Sequence, residues 1–539
     1  MFCPIIETNY GPVRGLHLKT CYNKPYNAFY GIPYAEKPFG KFRFKSPRPL
    51  SKWEKVLDAT KPRDSCWLFD KLNPTVKKVI GSDDCLHLNI YTPELETPRK
   101  LPVVIYFHGG RYQTMSGHPF YYGPDYLLEQ NVIVVTFNFR MGAFGFLSLK
   151  DETLEVPGNA GMKDQVMALR WIKENISYFG GNSDCITIVG HSSGASSVHY
   201  HLLSEMSRNL FTRAIIMSGS AFVPWATIPD SDFAYRLAKA LGYQGTSEDE
   251  KSILEFLKNA NPEEIVMNQE AICTAEERKK GQLIAFGPVI EPYIKNGDTF
   301  IPKSPFLMTR NAWGNSVDVM IGGCSDEGLL LYVNFTPAIL KSLGNFENIV
   351  ALSANLDPNS QECIAKGLKI KKTYFGDVNA KPKDVDTYFQ MLGHSTFWHG
   401  MWLTVQSRRK LKAGKTFLYR FDVEPTTNTT VRKAFHVPHM RKASHIEDTF
   451  YIFKAGYLAA HEKGSEEYKT MQVMTESFAA FARNGNPNGK RLKNVTWEAV
   501  AEEGDVKCFN IANGNELSFV TLPETPFMEV WDEICEHKF

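Results

Sequence analysis

A chain of 539 residues, 43% hydrophobic and 22% charged, has the balance of a soluble globular protein with enough apolar material for a large core. Its formal net charge of +2 is too near neutral for a nucleic-acid binder or a protein held on an anionic membrane surface. Its 10 cysteines are scattered without a CxxC pair, which excludes a zinc ribbon or a thioredoxin-type site.

The first stretch, MFCPIIETNYGPVRG, has no charged segment leading into an apolar core, so no secretory leader is expected. No window reaches roughly eighteen uninterrupted apolar residues, so no membrane span is expected either. The expected location is cytoplasmic, with most cysteines free. The Asn-x-Ser/Thr sequons at Asn175, Asn334, Asn428 and Asn494 then read as chance matches.

Short runs rich in β-branched residues follow: LPVVIYF from Leu101, VIVVTFNF from Val132, ITIVG from Ile186 and RAIIMSG from Arg213. Each reads as a strand buried on both faces, the kind found in parallel sheets. Between them DQVMALRWIKENI spaces Val166, Leu169, Trp171, Ile172 and Ile176 as a helix does, with Asp164 near its start. Alternating strands and helices predict a doubly wound α/β sheet. The second half offers fewer strands, VDVMIGG from Val317 and TFLYRFDV from Thr416. The basic run RRKLKAGK from Arg408 reads as the solvated face and end of a helix. No repeat or linker divides the chain, so one domain over 1–539 is expected.

The run from Ile186 ends in Gly190-His191-Ser192-Ser193-Gly194, a G-x-S-x-G between a predicted strand and a predicted helix. A serine on so sharp a turn is held in a strained backbone conformation with its hydroxyl above the sheet. The flanking glycines let strand and helix approach where a Cβ would clash. Read as bare structure, the serines fill a glycine turn and cap a helix, and Ser193 fits that role better than Ser192. A second glycine turn, His108-Gly109-Gly110, closes the strand from Leu101 and suits backbone N–H groups aimed into a cavity.

Longer stretches carry a resemblance over nearly the whole chain. They are FYGIPYAEKPFGKFRFKSPRPLSKW from Phe29, SDDCLHLNIYTP from Ser82, GNAGMKDQVMALRWIKENISYFGGNSDCITIVGHSSG from Gly158, LFTRAIIMSGSA from Leu210, and FARNGNPN from Phe481 with TWEAV after it. The chain resembles the type-B carboxylesterase/cholinesterase family. YGPDYLL, VMALRWIK and AWGNS are most similar to its insect α-esterase members. The resemblance implies an α/β-hydrolase fold, with a large, mostly parallel central sheet flanked by helices. It implies a serine carboxylesterase acting on small apolar esters, xenobiotics among them, with no cofactor and no metal.

The family's nucleophile matches Ser192, its histidine matches His445 in KASHIED, and its acid matches Glu327 in CSDEGLL. Asp326 is the competing acid, but Gly328 aligns Glu327 with the family's Asp-Glu-Gly. The oxyanion-hole donors fall on Gly110, Arg111 and Ser193. Trp225 matches a position near the acyl pocket, and Cys66 with Cys85 matches the family's first disulfide. His436 and His439 sit in a Pro-containing loop without nearby cysteines, which argues against a metal site.

Three departures stand out. The family usually has Glu before the nucleophile and Ala after it, where this chain has His191 and Ser193. It lacks the tryptophan that cholinesterases use for choline. Arg111 stands where the family carries Gly or Ala, placing a long cation at the rim of the oxyanion hole. Two competing readings follow: a slow-turnover member that sequesters esters or organophosphates, and a non-catalytic binding member.

Overall fold

The structure is a computed structural model. It describes the chain apart from residues 1–2, 71–77, 280–281, 296, 335–345, 377–384, 425–441, 493, 514–515 and 537–539, and the side chains of 332–334. His436, His439 and the Asn428 sequon therefore lie outside the described residues.

The apolar runs form an eleven-stranded sheet. In chain order its strands are β1 (Leu16–Lys19), β2 (Pro25–Pro33), β3 (His87–Thr92), β4 (Leu101–Phe107), β5 (Ile133–Phe137) and β6 (Gly181–His191). They continue as β7 (Arg213–Met217), β8 (Asp318–Cys324), β9 (Thr416–Asp422), β10 (Lys507–Ala512) and β11 (Glu516–Thr521). The spatial order is β11-β10-β9-β8-β7-β6-β4-β5-β3-β2-β1. The strands from β10 to β5 run parallel, and both edges are antiparallel. This is the expected α/β-hydrolase architecture.

Successive residues of one strand enter different cores. Val103, Ile105 and Phe107 pack on one face of β4, and Val104 and Tyr106 on the other. Helix α1 (Ala160–Asn175) supplies Val166, Leu169, Trp171 and Ile172 to the first core. On the opposite face Met471, Met474, Phe478 and Phe481 of the helix Glu466–Asn484 close the second. With helices on both faces the central strands are buried on both sides, which is why their sequence is continuously apolar.

The chain order reverses between β4 and β6, since β5 lies on the far side of β4. In open α/β sheets, the crevice beyond the carboxyl ends of the strands at such a point is where ligands bind. The segments bearing Arg111, Ser192 and Glu327 all leave the sheet at carboxyl ends, after β4, β6 and β8.

Several local expectations change. Helix α1 begins at Ala160, so Asp164 is a full turn inside it and completely buried. There it accepts two bonds from the Arg140 guanidinium, at 2.8 and 2.7 Å, and a third from the Arg140 N–H at 3.0 Å. Arg408 is not on a solvated face: it is only 7% exposed and donates to Thr416 Oγ1, Val317 O and Gly414 O. The chain turns straight from its helix (His399–Lys410) into β9, and the buried carbonyls at that turn need donors. Burial lowers the Arg408 pKa to about 10.

Asn175 is also fully buried, its side chain bonded to Trp171 O and Asn9 N, which removes it as a glycan acceptor. Cys66 and Cys85 are joined in a disulfide with Cα atoms 4.8 Å apart, and the other eight cysteines are free. Among the described residues, no helix is long and apolar enough to cross a membrane.

Candidate active site

Strand β6 delivers Ser192 to a turn in which its backbone has φ 58° and ψ −123°, outside the regions a non-glycine residue ordinarily occupies. Helix α2 (Ser193–Leu203) starts at the next residue. The two flanking glycines permit this. A Cβ on Gly190 would lie 2.2 Å from Gly194 O, and one on Gly194 would lie 2.0 Å from Phe107 O. The Ser192 N–H is tied to Met217 O at 2.9 Å, so the neighbouring strand end helps to hold the turn. The residue is 7% exposed, and its Oγ makes no hydrogen bond among the described residues.

Glu327 follows β8 and is 1% exposed. Its Oε1 accepts from Ser218 Oγ at 2.6 Å and from the Cys324 N–H at 2.7 Å. Its Oε2 meets His445 Nδ1 at 2.5 Å. Burial pushes the carboxyl upward while the Ser218 and Cys324 donors oppose it. The donors favour the anion, and burial, the larger influence, opposes it.

His445 is 3% exposed and clamped between rings, with Phe397 and His191 each 4.5 Å away, centroid to centroid. Its segment is fixed by Ser444 N–H donating to Glu447 at 2.7 Å and by a bridge pairing Ser444 with Asp326. Burial lowers the His445 pKa, so the resting imidazole is neutral.

Asp326 occupies a different environment. It is buried and its Oδ1 has no partner. Burial raises its pKa to about 7. Its carboxyl bonds to neither His445 nor any other histidine among the described residues, so the geometry separates the two candidate acids.

The glycine turn after β4 lies against the nucleophile turn. A Cβ on Gly109 would fall 2.8 Å from His191 O and 3.1 Å from Ser192 Cβ. Gly110 has φ +110°, and a Cβ there would meet Thr114 O at 2.1 Å, so only glycine fits. Arg111 and Tyr112 follow with φ 59° and 58°, two consecutive left-handed residues without the freedom of glycine. The N–H groups of Gly110, Arg111 and Ser193 have no acceptor among the described residues. These are the residues to which the family resemblance assigns the oxyanion donors. The Tyr112 N–H reaches Ser193 Oγ at 3.4 Å, a long contact joining the two turns.

Trp225 is half-buried, donates to Thr396 O at 2.9 Å, and packs against Phe397 with ring centroids 5.8 Å apart. It therefore stands one ring away from His445. Among the described residues, no group of three or more His, Cys, Asp and Glu could hold a metal ion.

Two residues of this assembly escaped the sequence reading. Ser218 follows β7 with φ 55° and donates to Glu327; a serine before a glycine just past a strand was its only signal. Phe397 lies in a π-helical turn, His394–Trp398, and nothing in the sequence distinguishes it from the other phenylalanines.

A neutral His445 makes the acid limb of any histidine-dependent reaction a test of this geometry. The base is lost when His445 takes up a proton, and a lowered pKa moves that loss to lower pH. The midpoint of the acid limb of kcat/KM is therefore expected below the ordinary imidazole value of about 6.5, measured over roughly pH 4 to 8. A midpoint above that value would show a solvated or charge-stabilised imidazole instead.

The chain matches the carboxylesterase family over residues 3–528. It is 37% identical over 536 residues to Esterase B1 of Culex pipiens, covering 98% of this chain and 97% of that one. It is 31% identical over 524 residues to juvenile hormone esterase of Tribolium castaneum, covering 92% and 86%. Among solved structures, juvenile hormone esterase from Manduca sexta, with OTFP covalently attached, superposes with a TM-score of 0.86. That match covers 99% of each chain at 27% identity.

Proposed function

From the premise that the chain belongs to the carboxylesterase family and is a serine carboxylesterase, we propose that Ser192, Glu327 and His445 form its triad. The observation that carries this assignment is the hydrogen bond from His445 Nδ1 to Glu327 Oε2, at 2.5 Å, beside the His191-Ser192 turn.

His445 takes the Ser192 proton as Oγ attacks the carbonyl carbon of the ester. Glu327 keeps the Nδ1–H tautomer in place and stabilises the imidazolium that forms. The N–H groups of Gly110, Arg111 and Ser193 donate to the tetrahedral oxyanion. Its collapse breaks the bond to the alkoxy oxygen, which leaves with the proton from His445. Water, deprotonated by His445, then attacks the acyl-enzyme, releases the carboxylic acid and restores the Ser192 hydroxyl. The reaction runs in one catalytic domain spanning 1–539. Cytoplasmic location belongs to the same proposal, supported by eight free thiols out of ten cysteines.

One observation favours a slower variant of this chemistry. The left-handed Arg111 lacks the freedom of glycine at an oxyanion donor, and a misaimed donor costs about a hundred- to a thousand-fold. Stopped-flow hydrolysis of 4-nitrophenyl butyrate separates the readings. The proposal expects a burst of one nitrophenolate per chain followed by steady turnover. A burst that stalls identifies a sequestering protein, and no burst with no turnover refutes the triad.

A further inference from the structure

Arg111 has a burden that its backbone role does not explain. Its side chain is half-buried. The guanidinium makes no hydrogen bond, ion pair or ring contact among the described residues. Burial disfavours its charge, and the carboxylate of Glu270 favours it. A half-buried guanidinium without a direct partner, its nitrogens still open to solvent, is free to receive an anion, whereas cations fully buried in a protein are paired. Arg140, Arg408 and Arg420 in the same protein all are: with Asp164, with a set of buried oxygens, and with Glu524.

The position of Arg111 decides what could pair with it. Gly109, two residues earlier, sits directly against Ser192. Two residues of extended chain span at most about 7 Å, so the Arg111 backbone lies within that distance of the glycine touching the nucleophile. An arginine side chain has a similar reach, so a group held on Ser192 lies within range of its guanidinium. A guanidinium presents a planar fork of donors that matches a carboxylate.

We propose that this esterase takes esters carrying a carboxylate, such as hemiesters of dicarboxylic acids, and that Arg111 receives that carboxylate while Ser192 attacks the ester carbonyl. The inference rests on the reading of Ser192 as nucleophile and adds the substrate class to it. Arg111 then serves the site twice, its N–H toward the oxyanion and its guanidinium toward the distal anion. The substrate supplies a direct hydrogen-bonded partner, which no described residue gives this guanidinium, Glu270 acting on it only through its charge.

The test compares kcat/KM for 4-nitrophenyl hemisuccinate and for 4-nitrophenyl valerate, which is similar in length and neutral. Taking the ratio within each protein removes any common effect of a substitution on the oxyanion hole. The hemisuccinate-to-valerate ratio is expected to fall by about tenfold or more in Arg111→Gln and by less in Arg111→Lys. In the wild-type protein, which needs no variant to fold, the ratio is expected to drop as salt rises from about 0.02 to 0.5 M. A ratio that stays within about threefold in Arg111→Gln, or a wild-type ratio indifferent to salt, overturns the proposal and leaves the triad standing. Failure of the wild-type protein to hydrolyse either ester overturns both.

Discussion

Ser192→Ala is expected to lower kcat by about a million-fold while the protein stays folded, because the nucleophile and its base act as a unit. Ser192 Oγ makes no hydrogen bond among the described residues, so its removal breaks no bond of the fold. The turn is instead held by the Ser192 N–H on Met217 O and by the close approach of Gly190 and Gly194, which the substitution leaves alone. Ser193→Ala is the control. It removes one contact of 3.4 Å, from the Tyr112 N–H, and keeps the backbone N–H of residue 193. It is expected to change kcat by less than about tenfold. Steady-state hydrolysis with circular dichroism on both variants decides the matter. If Ser192→Ala kept more than a few per cent of activity, or Ser193→Ala lost as much, the nucleophile would have to be reassigned.

Glu327→Gln is expected to cost about ten-thousand-fold in kcat, and Asp326→Asn less than about tenfold. The difference lies in what each carboxyl touches. Glu327 is an acceptor on every side: Ser218 and Cys324 donate to Oε1, and His445 donates to Oε2. An amide offers one accepting oxygen, and its NH2 group would face a donor. With Ser218 and the Cys324 N–H holding the oxygen, that NH2 is turned on His445 Nδ1, forcing the proton to Nε2, where the base must be free. Asp326 has an unpartnered Oδ1 and no contact with the imidazole, so its amide changes the catalytic geometry little. Desolvation, with the Asp386 and Glu327 carboxylates beside it and against the pull of Lys442 and Arg420, holds the Asp326 carboxyl up at about 7, so replacing it should leave stability near neutral pH little changed or improved. Comparable losses of activity in the two variants would show that both acids orient His445.

Much of this protein could be read from its residues alone. Six of the parallel strands were legible because burial on both faces forces continuous apolar runs such as LPVVIYF, whereas Lys507–Ala512, which interleaves polar residues, was missed. The turn that carries the proposed nucleophile was legible because a turn as tight as that at Ser192 admits only glycine at Gly190 and Gly194, which writes a steric requirement directly into the sequence. Glu327 and His445 were legible only through resemblance. They lie 118 residues apart, and no local pattern marks a lone carboxylate or imidazole as a partner.

Contacts between distant segments were decided only by the tertiary structure. The choice of Glu327 over Asp326 turns on which carboxylate Ser218 and Cys324 can reach, and adjacent residues on a chain leaving a strand face different ways. The clamp of Phe397 and His191 on His445 joins three separate elements. Arg408 looked like part of a solvated basic run because charge in a sequence carries no record of the carbonyls waiting opposite. Arg111 shows the same limit from the other side. Its presence at the glycine turn was plain in the sequence, but its lack of a hydrogen-bonded partner among the described residues became visible only in the folded chain. Local sterics are a property of a few consecutive residues, whereas pairing, desolvation and orientation belong to the assembled whole.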